Sequence, residues 1–194
     1  MVLGMRASAA HFAGASAFFL VINAICAALY SAVFLLWMQD VPHGLDIVFL
    51  PFGALMLLTW FYGWMVVPLV LPAALLSQVA VYGAEAFDAL MVEALLLKLV
   101  CCPFAFAAFR LGGIDARQGQ MSMNWRVLLL VGLLASVTIA TVRHVYAEWS
   151  RGLSGPDMLR SMLGTVIEDM MGLMLVQFGL KLVFRLLRRR FAIG

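Results

Sequence analysis

The stretch from Asp46 to Val81 is almost uncharged and limits what the chain can fold into. Its sequence is DIVFLPFGALMLLTWFYGWMVVPLVLPAALLSQVAV, and its one charged residue is Asp46. A domain in water cannot cover so much apolar surface, whereas two membrane helices joined by a short turn at Tyr62–Trp64 need this composition. The stretch therefore predicts a membrane protein.

The composition of the whole chain agrees with this prediction. Hydrophobic residues make up 65% and charged residues 12% of the 194 residues, and the mean hydropathy is +1.04. Soluble domains have about 45–50% apolar and about 25% charged residues. We therefore expect residues 1–194 to form a single integral membrane domain without an attached soluble catalytic module.

The apolar runs predict an all-α fold, a bundle of six transmembrane helices. The predicted spans are residues 12–38, 47–62, 65–83, 90–109, 127–145 and 162–184. The first run is too long for the apolar core of a cleavable signal peptide, about 7–15 residues, so we expect a retained helix. With the N-terminus inside, nine basic residues fall on the inner side and three on the outer side. This asymmetry predicts a multi-pass protein of the bacterial inner membrane with both termini in the cytoplasm.

Among the charged side chains within the predicted spans, four are the best candidates for function, namely Glu93, Lys98, Glu168 and Asp169. A charge near the centre of a bilayer costs at least about 2.5–3.5 kcal/mol unless it is paired or hydrated. Since the fourth and sixth spans enter from the same side, Lys98 is expected to reach the depth of Glu168 or Asp169. The cluster has two interpretations: an outward-facing polar pocket that binds a small solute or relays a proton, or an ion pair that fixes helix packing.

Small residues recur at four-residue spacing in the first span, at Ala13, Ala17, Ala24 and Ala28. Such a strip lets another helix approach closely. The strip predicts a helix-packing surface, and its partner is either a neighbouring span of the same chain or another subunit, including a second copy.

Basic residues recur at Lys181, Arg185 and Arg188 and share one face of the last helix. They have two interpretations: a site for anionic lipid head groups, or a helix flank whose side chains extend to the interface. Nucleic-acid binding has no support, since no soluble domain presents the charge.

Candidate sites for catalysis or metal binding do not emerge from the sequence. Cys26, Cys101 and Cys102 lie in apolar runs and are interpreted as small hydrophobic residues. The three histidines are far apart, and no nucleophile motif or phosphate-binding loop is present. We therefore expect no metal, no cofactor and no enzymatic activity.

The second and third predicted spans, FLPFGALMLLTWFYGWMVVPLVLPAALLSQ, resemble the early part of bacterial membrane-associated sensory domains. In that family a Pro and a Gly open an apolar helix, a Gly with an aromatic residue turns the chain, and a Pro begins the next helix. The matching residues are Pro51, Gly53, Gly63, Trp64 and Pro68. The resemblance implies a sensory role, although the family's domains are usually longer and feed a cytoplasmic kinase or cyclase.

In size and in its small-residue first helix, the chain is also similar to the substrate-binding subunits of energy-coupling-factor transporters. Three functions are therefore open. The first is binding or sensing of a small ligand through the outward-facing pocket. The others are an accessory or assembly subunit of a larger membrane complex, and a transporter of a small solute or of protons.

Overall fold

The computed structural model describes residues 2–37, 50–115, 124–151 and 156–191, and all regular structure in these ranges is helical. The six α-helices are α1 (Val2–Trp37), α2 (Leu50–Tyr62), α3 (Val66–Tyr82), α4 (Ala89–Leu111), α5 (Trp125–Arg151) and α6 (Pro156–Phe191). The all-α prediction is confirmed for this part of the chain. The predicted connector at 39–46, residues 116–123 of the connector 110–126 and residues 152–155 of the connector 146–161 lie outside the described residues.

Four helical stretches among the described residues are long and apolar enough to cross a bilayer. They are Ala10–Ala28, Leu50–Ala80, Met91–Leu111 and Trp125–Tyr146. The chain is therefore of the class of helical membrane proteins. One of these stretches, Leu50–Ala80, covers most of both the second and the third predicted span. Helix α6, which contains Glu168, Asp169 and Lys181, is not among the four.

The helix is interrupted within one residue of the turn predicted at Tyr62–Trp64, whereas the prediction of two separate spans stays a prediction. A 3-10 turn at Gly63–Met65 separates α2 from α3, and Gly63 has a φ of 58°. Glycine adopts this left-handed conformation without the steric cost of a Cβ atom. The start of α1 lies against the turn, because Nδ1 of His11 is 3.2 Å from the Tyr62 hydroxyl.

Helix α2 lies at the centre of the molecule. All of its residues from Leu50 to Trp60 are buried, and it contacts α1, α4 and α6. Helix α5 also contacts α4 and α6, so that α2, α4, α5 and α6 form a four-helix core. Helices α1 and α3 pack together outside this core. Pro51 is compatible with a helix here because it lies in the first turn, where no backbone N–H is needed.

Two glycines allow the core helices to approach one another closely. A Cβ atom on Gly53 of α2 would lie 2.7 Å from the carbonyl oxygen of Gly172 and 2.9 Å from Cα of Leu173, both in α6. A Cβ atom on Gly132 of α5 would collide with the side chain of Leu173. Lipid tails are as apolar as leucine, so close packing of this kind, rather than exclusion of water, drives membrane helices together.

The small-residue strip of α1 does not face the core. Ala13, Ala17, Ala24 and Ala28 are all exposed, whereas α1 turns Ala15 and Phe19 towards the core. Among the described residues, the strip therefore does not pack against a neighbouring span of the same chain. That it is a surface for another subunit stays a prediction.

The substitution Gly53→Ala tests the close approach of α2 and α6. We expect it to lower the free energy of unfolding by about 1–3 kcal/mol, since the new methyl group would meet backbone atoms that cannot move independently. The measurement is the melting temperature of the purified protein in detergent. Gly164→Ala in α6 is the matched control because its Cβ atom would meet nothing within 4 Å. Equal melting temperatures for the two variants would contradict the packing described here.

Candidate functional site

Polar side chains are rare in the core. Among the described residues, the buried ones are Thr59, Ser136, Asp169 and Gln177. The hydroxyl of Thr59 donates to the carbonyl of Leu55 in its own helix at 2.7 Å, which satisfies it locally. Asp169 is the acidic member of this set and is 1% exposed. A carboxyl group at that burial requires partners from other helices.

Ser136 of α5 supplies one such partner. Its hydroxyl donates to Oδ2 of Asp169 at 2.9 Å, and both side chains are buried. The neighbouring hydroxyls of Thr138 and Thr141 instead donate to backbone carbonyls four residues earlier in α5. Ser136 therefore differs from the usual behaviour of hydroxyl residues in membrane helices, because its hydroxyl connects two helices.

An antiparallel pairing of α5 with α6 brings these groups together. Ser136 meets Asp169, Gly132 meets Leu173 four residues along each helix, and Trp125 meets Lys181. Each step towards the start of α5 thus matches a step towards the end of α6. The small residue at Gly132 lets the helices come close enough for the Ser136 hydroxyl to reach the carboxylate.

The same pairing gives the depth of Asp169. Nζ of Lys181 lies 4.6 Å from the centre of the Trp125 ring, and tryptophan is typical of the membrane interface. Asp169 precedes Lys181 by 12 residues, which is about 18 Å along a helix. Asp169 therefore lies about 18 Å along the helix axis from the level of Trp125.

Lys98 of α4 lies near Asp169. It precedes Arg110 by 12 residues, again about 18 Å along a helix, and α4 packs against α5. Lys98 is close enough to the Asp169 carboxyl group for its charge to act on it. Cys102, also on α4, is fully buried.

The four charged residues predicted from the sequence do not share one environment. Lys98 and Glu168 are half-buried, and Asp169 is fully buried. Glu93 is exposed and borders an open groove of about 660 Å³ on α4, together with Phe87, Ala89, Val92, Leu96, Leu97 and Val100. The structure therefore brings Lys98 and Asp169 together with Ser136 and leaves Glu93 on the apolar outer surface. We call Lys98, Ser136 and Asp169 the buried cluster.

Ser136 is the site residue that sequence reasoning did not identify as such. Its position within an apolar span was visible in the sequence, but its partner depends on how α5 and α6 align. Gln177 lies two turns after Asp169 on the same face of α6, about 12 Å away, and its Nε2 is buried without a hydrogen-bond partner among the described residues.

Metal ligation has no support in the part of the chain that the structure describes. No group of three or more His, Cys, Asp or Glu side chains is arranged there to hold an ion. The cysteines Cys26, Cys101 and Cys102 are free thiols. His11 and His144 contact Tyr62 and the carbonyl of Ala140 respectively, and His43 lies outside the described residues.

Comparisons with protein-family models, with curated proteins and with solved structures find no match to this chain.

A double-mutant cycle tests whether Lys98 and Asp169 interact. We expect Lys98→Met or Asp169→Asn alone to be more destabilising than the two together, because each single variant leaves a buried charge without its partner, at a cost of about 3–5 kcal/mol. The measurement is the melting temperature in detergent, with Glu93→Gln as a control for loss of an exposed charge. Strict additivity of the two single losses would mean that Lys98 does not pair with Asp169.

Proposed function

We propose that this chain is an integral membrane protein that binds or senses a small ligand at the buried cluster, and that the ligand is a proton exchanged at Asp169. One observation carries the proposal. The Asp169 carboxyl group is 1% exposed and accepts a hydrogen bond of 2.9 Å from Ser136 under the influence of the Lys98 charge. Ionisable groups at membrane depth are typical of proton pathways and of ligand sites.

The close packing around Asp169 favours a proton over a larger solute. A solute would have to separate α5 from α6 where Gly132 and Leu173 are already in contact. A proton needs no cavity and changes only the charge of the carboxyl group. The open groove at Glu93 is large enough for a solute, but its other lining residues are apolar, which suits a lipid tail better than a polar ligand.

Two opposing effects would make the protonation of Asp169 responsive to pH. The Lys98 ammonium group and the Ser136 hydroxyl stabilise the carboxylate, whereas the apolar surroundings favour the neutral acid. Protonation would remove a negative charge close to Lys98. A change in how α6 packs against α2 and α5 is the expected consequence, and such a change is how a local charge can produce a conformational signal.

Infrared spectroscopy of the reconstituted protein over a range of pH tests proton exchange. We expect the C=O stretching band of a protonated carboxylic acid to appear as the pH is lowered, and to be absent in Asp169→Asn. Glu93→Gln and Glu168→Gln are matched controls, since each removes one carboxyl group and should keep the band. A band that is unchanged in Asp169→Asn, or that does not respond to pH, would contradict proton exchange at this site. A small molecule that is retained in native mass spectra of the wild-type protein but not of Asp169→Asn would identify the ligand as a solute and not a proton.

An accessory role in a larger complex is the second candidate, and the exposure of Ala13, Ala17, Ala24 and Ala28 favours it. A helix of another subunit could approach α1 closely along this strip. The same native mass spectra would reveal a partner subunit in fixed stoichiometry.

We also propose six spans with both termini in the cytoplasm of a bacterial inner membrane. In that arrangement α1 starts at the inner face of the membrane, and α2 ends at the same face. Helix α3 starts there as well and therefore runs parallel to α1. Two contacts support it: His11 lies against Tyr62 at the turn, and the Ser16 hydroxyl donates to the Leu69 carbonyl at 2.8 Å, about one turn further along both helices. The alternative is a single bent span over Leu50–Ala80.

Cysteine labelling distinguishes six spans from the single bent span. Single cysteines at Trp64, Glu85 and Ile114, all exposed positions, are introduced after Cys26, Cys101 and Cys102 have been replaced by alanine. With six spans, an impermeant maleimide should label Trp64→Cys and Ile114→Cys from the same side and Glu85→Cys from the other. Protection of Trp64→Cys from both sides would instead place residue 64 inside the bilayer.

A further inference from the structure

A second group of charged side chains lies at the face of the membrane domain where α5 begins and α6 ends. Nζ of Lys181 lies over the Trp125 ring at 4.6 Å from its centre. Arg185 and Arg188 follow about one and two turns further along α6, and both are exposed. Arg126, next to Trp125, is exposed on the same face. We call Trp125, Lys181, Arg185 and Arg188 the basic face.

The ring of Trp125 fixes part of this face in position. A cation held over an indole ring is stabilised by the negative face of the ring, so the Lys181 ammonium group is less free than an ordinary lysine at a helix end. Arg185 and Arg188 add two guanidinium groups, which can bind phosphate oxygens through paired hydrogen bonds. Three cations on one side of a rigid helix are complementary to a phosphate group.

An exposed apolar strip leads along α6 to the basic face. Met174, Phe178 and Leu182 are 53%, 67% and 49% exposed, and they recur at spacings of four residues. Leu182 lies one residue from Lys181, so the apolar strip reaches the level of the cations. This surface is suited to an acyl chain whose polar end lies at Lys181 and beyond.

We infer that the basic face and the strip of Met174, Phe178 and Leu182 together bind one anionic phospholipid, with its phosphate at Lys181, Arg185 and Arg188. The apolar strip favours a lipid over a soluble phosphate compound, because a soluble phosphate has no acyl chain that could contact Phe178 and Leu182. This site is about 18 Å from Asp169 along α6, and the inference does not depend on proton exchange there.

Native mass spectrometry of the full chain tests the inference. The protein is released from micelles that contain equal amounts of phosphatidylglycerol and phosphatidylcholine, and the retained lipids are counted. We expect the wild type to retain phosphatidylglycerol preferentially. The triple variant Lys181→Gln, Arg185→Gln, Arg188→Gln should lose this preference by a factor on the order of 100, since each basic residue near an anionic surface contributes about a factor of five to ten.

Three controls make the result specific. Arg160→Gln removes an exposed arginine of the same helix 21 residues before Lys181, which is about 32 Å away and therefore at the opposite face. It should keep the preference, whereas Arg185→Gln should weaken it. Trp125→Phe should keep more of the preference than Trp125→Leu, because it retains an aromatic ring.

Two results would overturn the inference. One is an unchanged preference for phosphatidylglycerol in a triple variant that melts at the wild-type temperature. The other is displacement of the bound lipid by inorganic phosphate at millimolar concentration, which would identify a soluble phosphate site. If the triple variant does not fold, comparison of Arg185→Gln with Arg160→Gln decides, and equal retention by these two would contradict the site.

Discussion

The approach of α2 to α6 at Gly53 is the contact on which the rest of the core depends. In lipid the helices gain little from hiding apolar side chains, so their association requires close contact between backbones. Gly53 lies against the backbone of Gly172 and Leu173, and Leu173 also fills the space left by Gly132. One segment of α6 is thus held between α2 and α5. Asp169 lies one turn before it, and its depth and partners follow from this arrangement.

Burial of Asp169 is possible because the same register that joins the glycines also aligns Ser136 with the carboxyl group. A shift of one residue between α5 and α6 would turn the Ser136 hydroxyl away by about 100°. The hydroxyl would then bond to its own helix, as those of Thr138 and Thr141 do. The carboxyl group would lose a charge-assisted hydrogen bond in a place where water cannot replace it. Packing and polar satisfaction therefore favour the same register.

The sequence predicted the features that depend on composition and local chemistry. The helical class, the helix break at Gly63 and the candidate role of Lys98 and Asp169 follow from runs of apolar residues, from the conformational freedom of glycine and from the cost of a charge in lipid. The partner of Asp169 could not be predicted, because the hydroxyls of Ser136, Thr138 and Thr141 are equivalent until α5 is aligned with α6. The exposed position of Ala13 and its neighbours was also not predictable, since small residues have the same spacing whether they face a helix or the lipid.

Stability alone does not account for the buried cluster. Replacing a buried ion pair with apolar side chains of similar volume is often neutral or stabilising, whereas removing one partner is costly. If Lys98 and Asp169 pair as proposed, they would add little to the stability that an apolar pair would give, although loss of either one alone would be costly. What the proposed pair would add is a group whose charge can change, held on α6, the helix that packs directly against the central α2. A change of charge at Asp169 would act on the contact that organises the core, and an apolar pair offers no such possibility.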